Sequence, residues 1–268
     1  MVIKEALLKL LEVGTRRDGE ILLSNIMGMD FLELTLNREC KLNKVQEEKL
    51  FSYYERKKPG EPVYYITGSC EFMSLEFMVN KNVLIPRSDT ETLVEYVTDR
   101  IGNSKKTVLD IGTGSGCIGI SIKKYCPNAE VTCLDISEDA LKVAEVNAKA
   151  NGVNIKRLNM DILCNIPDNK FDFIVSNPPY IRPEVIQKLD KNVKDFEPYT
   201  ALCGGEDGLL FYRRIISVIR DLLNEGGELA FEIGYDQGEE VLALVSQKFN
   251  ECGIIKDLCK NDRVVWGK

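Results

Sequence analysis

Four consecutive residues, Asn177, Pro178, Pro179 and Tyr180, have the chemistry to hold a planar NH2 group. The asparagine oxygen and the carbonyl of Pro178 can each accept one N–H of such a group. Two prolines keep that carbonyl rigid, because their φ angles are locked and they carry no competing N–H. The tyrosine ring would supply a flat wall. We predict that these four residues are catalytic and direct the lone pair of an amide or amino nitrogen at an electrophile.

A glycine-rich loop is predicted between a strand at residues 107–111 and a helix, and it consists of Gly112, Thr113, Gly114, Ser115 and Gly116. Glycines let the backbone turn sharply and let a ligand approach main-chain N–H groups. Asp135 ends the next predicted strand, about 20 residues further on, where its carboxylate can bind both hydroxyls of a ribose. The pattern predicts a cofactor that carries adenosine.

The identity of that cofactor depends on the residues around the loop. Gly114, Gly116 and Gly119 satisfy the dinucleotide fingerprint, which alone is weak evidence. The additional Asp110 and Gly112 give Asp-x-Gly-x-Gly-x-Gly, which resembles the first motif of class I methyltransferases and implies S-adenosylmethionine.

Asp161 and Ile162 directly follow the third predicted strand, and we expect them to complete the cofactor site, with Asp161 near the adenine amino group. A helix cap or a turn is the alternative role for Asp161. For Asp135 the alternative is a helix cap ahead of Ser137.

Strands and helices alternate after residue 86 in the manner of a parallel sheet. We predict strands at residues 107–111, 130–135, 155–160, 171–176 and 228–233, with helices at 137–151, 209–223 and 237–249. Two late strands, at 254–259 and 263–266, flank a turn at 260–262. The predicted fold is α/β: a Rossmann-like class I methyltransferase with a mostly parallel seven-stranded sheet and a C-terminal antiparallel hairpin. Residues 177–180 would adjoin the glycine loop if the fourth strand neighbours the first.

The N-terminal part of the chain shows a helical pattern instead of alternating strands and helices. Residues 1–62 are predicted to form a helical domain, including a helix at 43–57 in which Asn43 and Gln46 resemble a capping box. Pro59, Gly60 and Pro62 break this pattern. Residues 63–86 read as a β-hairpin linker, and residues 87–268 as the catalytic domain.

The composition excludes several classes of function. The chain has 268 residues, no histidine and a net charge of -7. The lack of histidine excludes an imidazole base or a serine triad, and the acidic balance weighs against direct binding of nucleic acid. Nine cysteines without a Cys-x-x-Cys pair do not form a zinc or disulfide framework. We expect no metal, no membrane span and a cytoplasmic location.

Along most of its length the chain resembles the release factor glutamine methyltransferases. The resemblance rests on Asn177–Tyr180 and on residues 65–68, 71–72, 85–91, 196–198, 200–202, 204–205, 207–209 and 262–265. It implies methylation of the glutamine in the Gly-Gly-Gln motif of peptide chain release factors, which would be the protein partner, docked with help from the helical N-terminal domain. A monomer is expected. Ser88 stands where the family usually has proline, which loosens the loop that opens the catalytic domain.

Other functions stay open from the residues alone. An adenine-N6 methyltransferase acting on DNA or RNA would use the same tetrapeptide, but it normally needs a basic channel. A dehydrogenase would leave residues 177–180 unexplained, and a module that only binds a partner would not need the intact glycine loop.

Overall fold

The computed structural model describes residues 1–268. The N-terminal segments, in which apolar residues recur at helical spacing, form a bundle of helices. The helices are α1 (Ile3–Leu10), α2 (Arg16–Met27), α3 (Phe31–Leu36), α4 (Lys44–Lys57) and α5 (Val63–Thr67). Their apolar faces enclose a core that includes Leu10, Leu22, Leu23 and Leu50. The bundle belongs to unit 1, which consists of Met1–Ser69 and Asp190–Phe196 and also holds the short helix α10 (Lys191–Lys194).

Capping boxes begin three of these helices. The predicted pairing of Asn43 with Gln46 is confirmed, since Asn43 Oδ1 accepts from the Gln46 N–H and Gln46 Oε1 accepts from the Asn43 N–H, both at 2.9 Å. The pairs Thr15–Asp18 and Asp30–Glu33 repeat the arrangement. Each box satisfies N–H groups that the first helical turn leaves without partners. These starts are therefore determined by neighbouring residues.

The strand-like reading of residues 63–67 is wrong, because they form helix α5. Val63, Tyr65 and Ile66 have high β-propensity, which suggested a strand. In the structure their side chains are buried, with Val63 and Ile66 in the core of unit 1, and Gly68 ends the helix in the left-handed region at φ +86°. Burial overrides local propensity here, and unit 1 extends to Ser69 rather than to residue 62.

The predicted hairpin is present but shorter. It consists of β1 (Ser69–Phe72) and β2 (Leu75–Met78), which form a separate two-stranded sheet. Asn147 ties β2 to the helix α8 (Glu138–Ala150), because its side chain accepts from the Met78 N–H (2.7 Å) and donates to the Met78 carbonyl (3.0 Å).

Unit 2, Cys70–Leu189 with Glu197–Lys268, contains the predicted seven-stranded sheet. Its strands are β3 (Thr107–Ile111), β4 (Glu130–Asp135), β5 (Lys156–Asn159), β6 (Phe171–Ser176), β7 (Leu223–Glu232), β8 (Cys252–Lys256) and β9 (Asp262–Gly267). Their order is β5-β4-β3-β6-β7-β9-β8, with β9 antiparallel to both neighbours and the other pairs parallel. The fold prediction is confirmed, and the fourth strand of the domain, β6, lies beside the first, β3.

Helices cover the sheet, and they are α6 (Glu91–Ile101), α7 (Cys117–Tyr125), α8, α12 (Leu210–Leu222) and α13 (Gly238–Val245). A 3-10 turn (Ser88–Thr90) and the short helices α9 (Pro183–Ile186) and α11 (Tyr199–Leu202) lie in the connections. The strands β3, β4 and β6 have the predicted bounds, whereas the bounds of β5, β7, β8 and β9 differ from the prediction, most of all at β7 and β8. The strand β7 begins at Leu223, because Leu223 pairs with Phe171 before a bulge. The strand β8 ends at Lys256, where Asp257 accepts from Asn261 to close the turn. None of the helices combines the length and apolar character that a membrane crossing needs.

Candidate active site

The glycine loop after β3 is tied to the end of β4. The N–H groups of Gly112 and Thr113 both donate to the Leu134 carbonyl, at 2.8 and 3.0 Å. Gly112 and Gly114 adopt φ angles of +73° and +54°, which favour glycine. A Cβ built on either residue would meet no atom within 4 Å. The loop therefore turns sharply and presents bare backbone to the open cleft that both residues line.

Asp110 lies beneath this loop instead of facing the cleft. Its Oδ2 accepts from the Thr113 hydroxyl (2.6 Å) and from the Gly119 N–H (3.0 Å), while Oδ1 has no partner. Burial raises the pKa of this carboxyl to about 7. Asp110, Thr113, Ser115 and Gly116 do not line the cleft, so we expect their predicted part in cofactor binding to be the shaping of the loop.

Asp135 lines the cleft beside Gly114 at the end of β4. Its Oδ2 accepts from the Gly114 N–H and its Oδ1 from the Ser137 N–H, both at 2.9 Å. The cap of α8 is Ser137, whose hydroxyl accepts from the Ala140 N–H, so Asp135 is not itself the helix cap. Burial raises the pKa of Asp135. Each carboxylate oxygen keeps a lone pair for a further donor.

Asp161 and Ile162 follow β5 and also line the cleft. Asp161 Oδ1 accepts from the Leu163 N–H (2.9 Å), and its Oδ2 contacts the Cys164 thiol (3.3 Å). The turn role that the sequence left open is therefore present, in a residue that also borders the cleft. Ile162 belongs to the core of unit 2 and forms part of an apolar wall.

The cleft has a volume of about 580 Å³ at the carboxyl ends of the parallel strands. This volume lies within the range of small-molecule and cofactor sites. The strand ends contribute one wall. The other walls come from residues 81–84, from 198–201 and from Cys203, Gly205, Leu210 and Phe211. A bare glycine backbone, two carboxylates with lone pairs to spare and apolar walls fit an adenosine-bearing cofactor.

Asn177, Pro178 and Pro179 line the same cleft just beyond β6. The pairing of Ile111 with Ser176, and the bond from the Ser176 hydroxyl to the Ile111 carbonyl (2.7 Å), place them beside the glycine loop. Asn177 Nδ2 donates to Thr90 Oγ1 at 3.3 Å. With its nitrogen engaged by Thr90, the Asn177 side chain has its oxygen available as an acceptor.

Comparison with known proteins links this geometry to a family. The model of the methyltransferase small domain matches residues 88–193, and that of the PrmC N-terminal domain matches residues 3–68. The release factor glutamine methyltransferase of Clostridium acetobutylicum is 44% identical over 278 residues, covering 99% of this chain and 98% of that protein. The chain belongs to the release factor glutamine methyltransferase family. The family protein of Geobacter sulfurreducens is 39% identical, covering 95% of this chain and 90% of that protein.

Solved structures agree on the fold. A methyltransferase from Pyrococcus furiosus has a TM-score of 0.54 and 18% identity, covering 84% of this chain and 98% of that chain. The Thermus thermophilus 16S rRNA N2 G1207 methyltransferase, solved with AdoMet and guanosine, has a TM-score of 0.53 and 17% identity. The match covers 75% of this chain and 49% of that chain. As a member of its family, this chain is a class I methyltransferase that depends on S-adenosylmethionine.

The position of the Tyr180 ring differs from the prediction. It is absent from the cleft lining and packs against the core of unit 2. Burial raises the pKa of its phenol well above the usual range. Its carbonyl accepts from Gln237 Nε2 (3.2 Å), which holds the backbone after the two prolines. The flat wall predicted for the substrate is therefore not formed by this ring in the structure, because packing draws it behind the cleft surface.

Gly204 and Gly208, to which the sequence analysis gave no role, pack against residues 178–181 on the side away from the cleft. A Cβ on Gly204 would lie 2.6 Å from Tyr180 Cα and 2.7 Å from the Pro179 oxygen, and one on Gly208 would collide with the Tyr180 oxygen. Ile181 donates to the Leu202 carbonyl and accepts from the Gly204 N–H. The only indication of this contact in the sequence was that residues 204–205 and 207–209 belong to the family resemblance, which assigned them no function.

The loop before α6 carries further residues that the sequence did not assign. Arg87 pairs with the buried Glu197, which also accepts from the Ile85 N–H (3.3 Å). Arg263 on β9 pairs with Asp89 at 3.1 Å. These two ion pairs hold the segment that presents Thr90 to Asn177. No spacing rule links such distant positions, so pattern analysis could not find them.

Proposed function

We propose that this enzyme transfers the methyl group of S-adenosylmethionine to the side-chain amide nitrogen of the glutamine in the Gly-Gly-Gln motif of peptide chain release factors. Its relatives from Clostridium acetobutylicum and Clostridium botulinum are named release factor glutamine methyltransferases and match nearly the whole chain. The observation that carries the proposal is the position of Asn177 and Pro178 on the cleft beside the glycine loop. A release factor substrate also implies a cytoplasmic enzyme.

The proposed cofactor residues are those whose atoms border the cleft. The Asp135 carboxylate would accept from the ribose hydroxyls, and Asp161 with Ile162 would meet the adenine. The bare backbone of Gly112 and Gly114 would admit the rest of the molecule. When bound, S-adenosylmethionine supplies a methyl group on a positively charged sulfur.

The proposed catalytic residues act by orientation. An amide nitrogen is a poor nucleophile, because its lone pair is delocalised into the carbonyl. Asn177 Oδ1 and the Pro178 carbonyl would each accept one N–H of the substrate, which fixes the plane of its NH2 group and aims the lone pair. The N–H that the nitrogen must lose becomes acidic once the new N–C bond forms, so it can pass to solvent. Well-oriented systems gain about 7–11 kcal/mol from such positioning.

We further propose that unit 1 helps to dock the release factor. A groove of about 260 Å³ runs between α1, α2 and α3. Leu8, Leu11 and Phe31 line it and are exposed. Apolar side chains gathered on a surface in this way are typical of protein-binding sites.

The test is incubation of the enzyme with a purified release factor and S-adenosylmethionine, followed by mass spectrometry of the peptides. We expect one methyl group on the peptide that contains the Gly-Gly-Gln glutamine. A release factor in which this glutamine is replaced by glutamate is the matched control and should stay unmodified. Methylation of adenine in parallel DNA or RNA samples, with none on the release factor, would reject the proposal.

A further inference from the structure

The Glu232 side chain at the end of β7 is buried without a charged partner. It is 2% exposed, and one of its oxygens, Oε2, forms no hydrogen bond. Three other buried acids of unit 2 are in ion pairs: Glu197 with Arg87, Asp257 with Arg263, and Glu228 on the same strand with Arg100 and Lys268. Asp110, beneath the glycine loop, is buried without a charged partner as well, but it is bound by Thr113 and Gly119. Burying an unpaired carboxylate is costly, so the position of Glu232 calls for a functional explanation.

The neighbours of Glu232 suggest what that function is. In the parallel pairing of β6 with β7, Ser176 lies opposite Phe231, and one residue further along each chain come Asn177 and Glu232. The side chains of Thr90 and Asn177 are polar neighbours of the Glu232 carboxyl, and both lower its pKa. Asn177 Nδ2 in turn donates to Thr90 Oγ1. The three side chains form one polar cluster behind the cleft.

We propose that Glu232 is a positioning residue that, together with Thr90, holds the Asn177 amide with its oxygen toward the cleft. This inference rests on the proposed function of Asn177. The two ends of an asparagine amide have nearly the same shape but opposite hydrogen-bonding character. Acceptors behind the amide select the orientation in which NH2 points back, and the oxygen then faces the substrate N–H. If the amide were reversed, its NH2 group would face the substrate N–H, and two donors cannot form a hydrogen bond with each other.

The charge state of Glu232 decides whether this selection operates. Burial raises the pKa of Glu232 to about 7, against the opposing effects of Thr90, Arg263 and Asn177, while Asp89 adds to the rise. The uncharged titratable groups facing it are the phenols of Tyr180 and Tyr212 and the thiol of Cys117. Above that pH the carboxylate only accepts hydrogen bonds. Below it the carboxylic acid can also donate, so it no longer forces the NH2 end of Asn177 toward itself.

The kinetic test compares wild type, Glu232→Gln and the matched control Glu228→Gln in single-turnover methylation of a release factor between pH 5.5 and 8.5. In wild type we expect the rate at saturating substrates to rise through an apparent pKa near 7. Glu232→Gln should lose this rise and react about tenfold more slowly at pH 8.5, with little change in the KM for either substrate. Glu228→Gln should keep the wild-type profile. A Glu232→Gln profile that still rises like wild type would overturn the proposal and assign the titration to another group, such as Asp110.

A second measurement needs neither cofactor nor substrate. In protein labelled with [15N]asparagine, the side-chain NH2 signal of Asn177 can be assigned from its loss in Asn177→Ala. We expect this signal to move with pH through a midpoint near 7 in wild type and to stay fixed in Glu232→Gln. A wild-type signal that does not titrate would overturn the inference. Failure of wild type to methylate any release factor would reject the proposed function alone, because this titration does not depend on it.

Discussion

At the scale of single residues, Asn177 and Asp135 border one cleft but have different expected tasks. Asn177 lies beyond β6 with its side-chain nitrogen bound to Thr90, which leaves the oxygen for a substrate. Asp135 lies beyond β4 with both oxygens bound to backbone N–H groups and lone pairs to spare. The first should affect turnover and the second cofactor affinity, so the two substitutions separate the two roles.

Asn177→Ala is expected to lower kcat by about 100-fold to 1000-fold, the usual effect of removing one preorganised polar partner. The dissociation constant of S-adenosylmethionine should stay close to wild type. Steady-state kinetics with a release factor and calorimetry with the cofactor measure the two quantities. Asn128→Ala, at an exposed asparagine outside the cleft, is the control. An unchanged kcat would show that the amide does not hold the substrate.

Asp135→Ala is expected to raise the dissociation constant of S-adenosylmethionine by about tenfold to 100-fold. Hydrogen bonds to a charged group contribute about 1.5–3 kcal/mol, and about 1.4 kcal/mol corresponds to tenfold. Calorimetry on the free enzyme measures the change, with Asp139→Ala on the exposed face of α8 as control. Unaltered affinity would mean that Asp135 serves only to hold Gly114 and Ser137.

At the scale of elements, the position of residues 177–180 depends on segments distant in the chain. The segment 204–208 packs its glycine backbone against Pro179 and Tyr180, and Gln237 donates to the carbonyls of Tyr180 and Gly208. Prolines alone fix φ, but they do not place a carbonyl in space. The supporting backbone provides that placement.

Gly204→Ala is expected to lower kcat by about 100-fold, since a displacement of about 1 Å in a catalytic group has an effect of that size. The added methyl would lie 2.6 Å from Tyr180 Cα, so the backbone there must shift. Gly253→Ala is the matched control, because its methyl would be similarly close, 3.0 Å from the Trp266 ring, but on β8. Similar kcat values for the two variants would show that the glycine contact does not position the site.

At the scale of the whole molecule, buried carboxyls dominate the expected response to pH. Burial raises the pKa of both Asp110 and Glu232 to about 7, and it raises the pKa values of Asp135 and Glu197 as well. The chain has no histidine that would titrate in the same range. A carboxyl whose pKa is raised by folding stabilises the fold below its ordinary pKa, and that contribution is lost as pH rises through the folded value.

The free energy of unfolding should therefore fall between about pH 5 and pH 8. Asp110 and Glu232 should each contribute a decrease of up to about 3 kcal/mol. Urea unfolding across this range measures the trend. Asp110→Asn should reduce the decrease, while Asp139→Asn on the surface should leave it as in wild type. Stability that is constant or rises toward pH 8 would contradict the expected ionisation of these buried groups.

Unit 1 carries the prediction for the protein substrate. Leu8→Glu, at a groove residue that is 60% exposed, is expected to raise the KM for the release factor by about tenfold, a typical effect of disrupting an apolar contact at an interface. The cofactor affinity should not change. Val45→Glu, on α4 outside the groove and 72% exposed, is the matched control. Equal KM values in the two variants would exclude this groove as the docking surface.

Much of this protein could be read from local sequence. The bounds of β3, β4 and β6, the capping box of Asn43 and the glycine loop follow from apolar periodicity and turn-forming residues, whose effects extend over a few positions. The same local reasoning failed at residues 63–67, where β-propensity indicated a strand and burial in unit 1 produced a helix.

Contacts across long stretches of chain were decided by tertiary structure alone. Thr90 and Glu232 are 142 positions apart, yet Thr90 is hydrogen-bonded to Asn177 and Glu232 is its neighbour on the adjacent strand, because strand order brings β7 beside β6. The exclusion of Tyr180 from the cleft and the backing of Pro179 by Gly204 have the same origin. Sequence patterns record which residue types follow one another, whereas packing between elements determines which side chains meet.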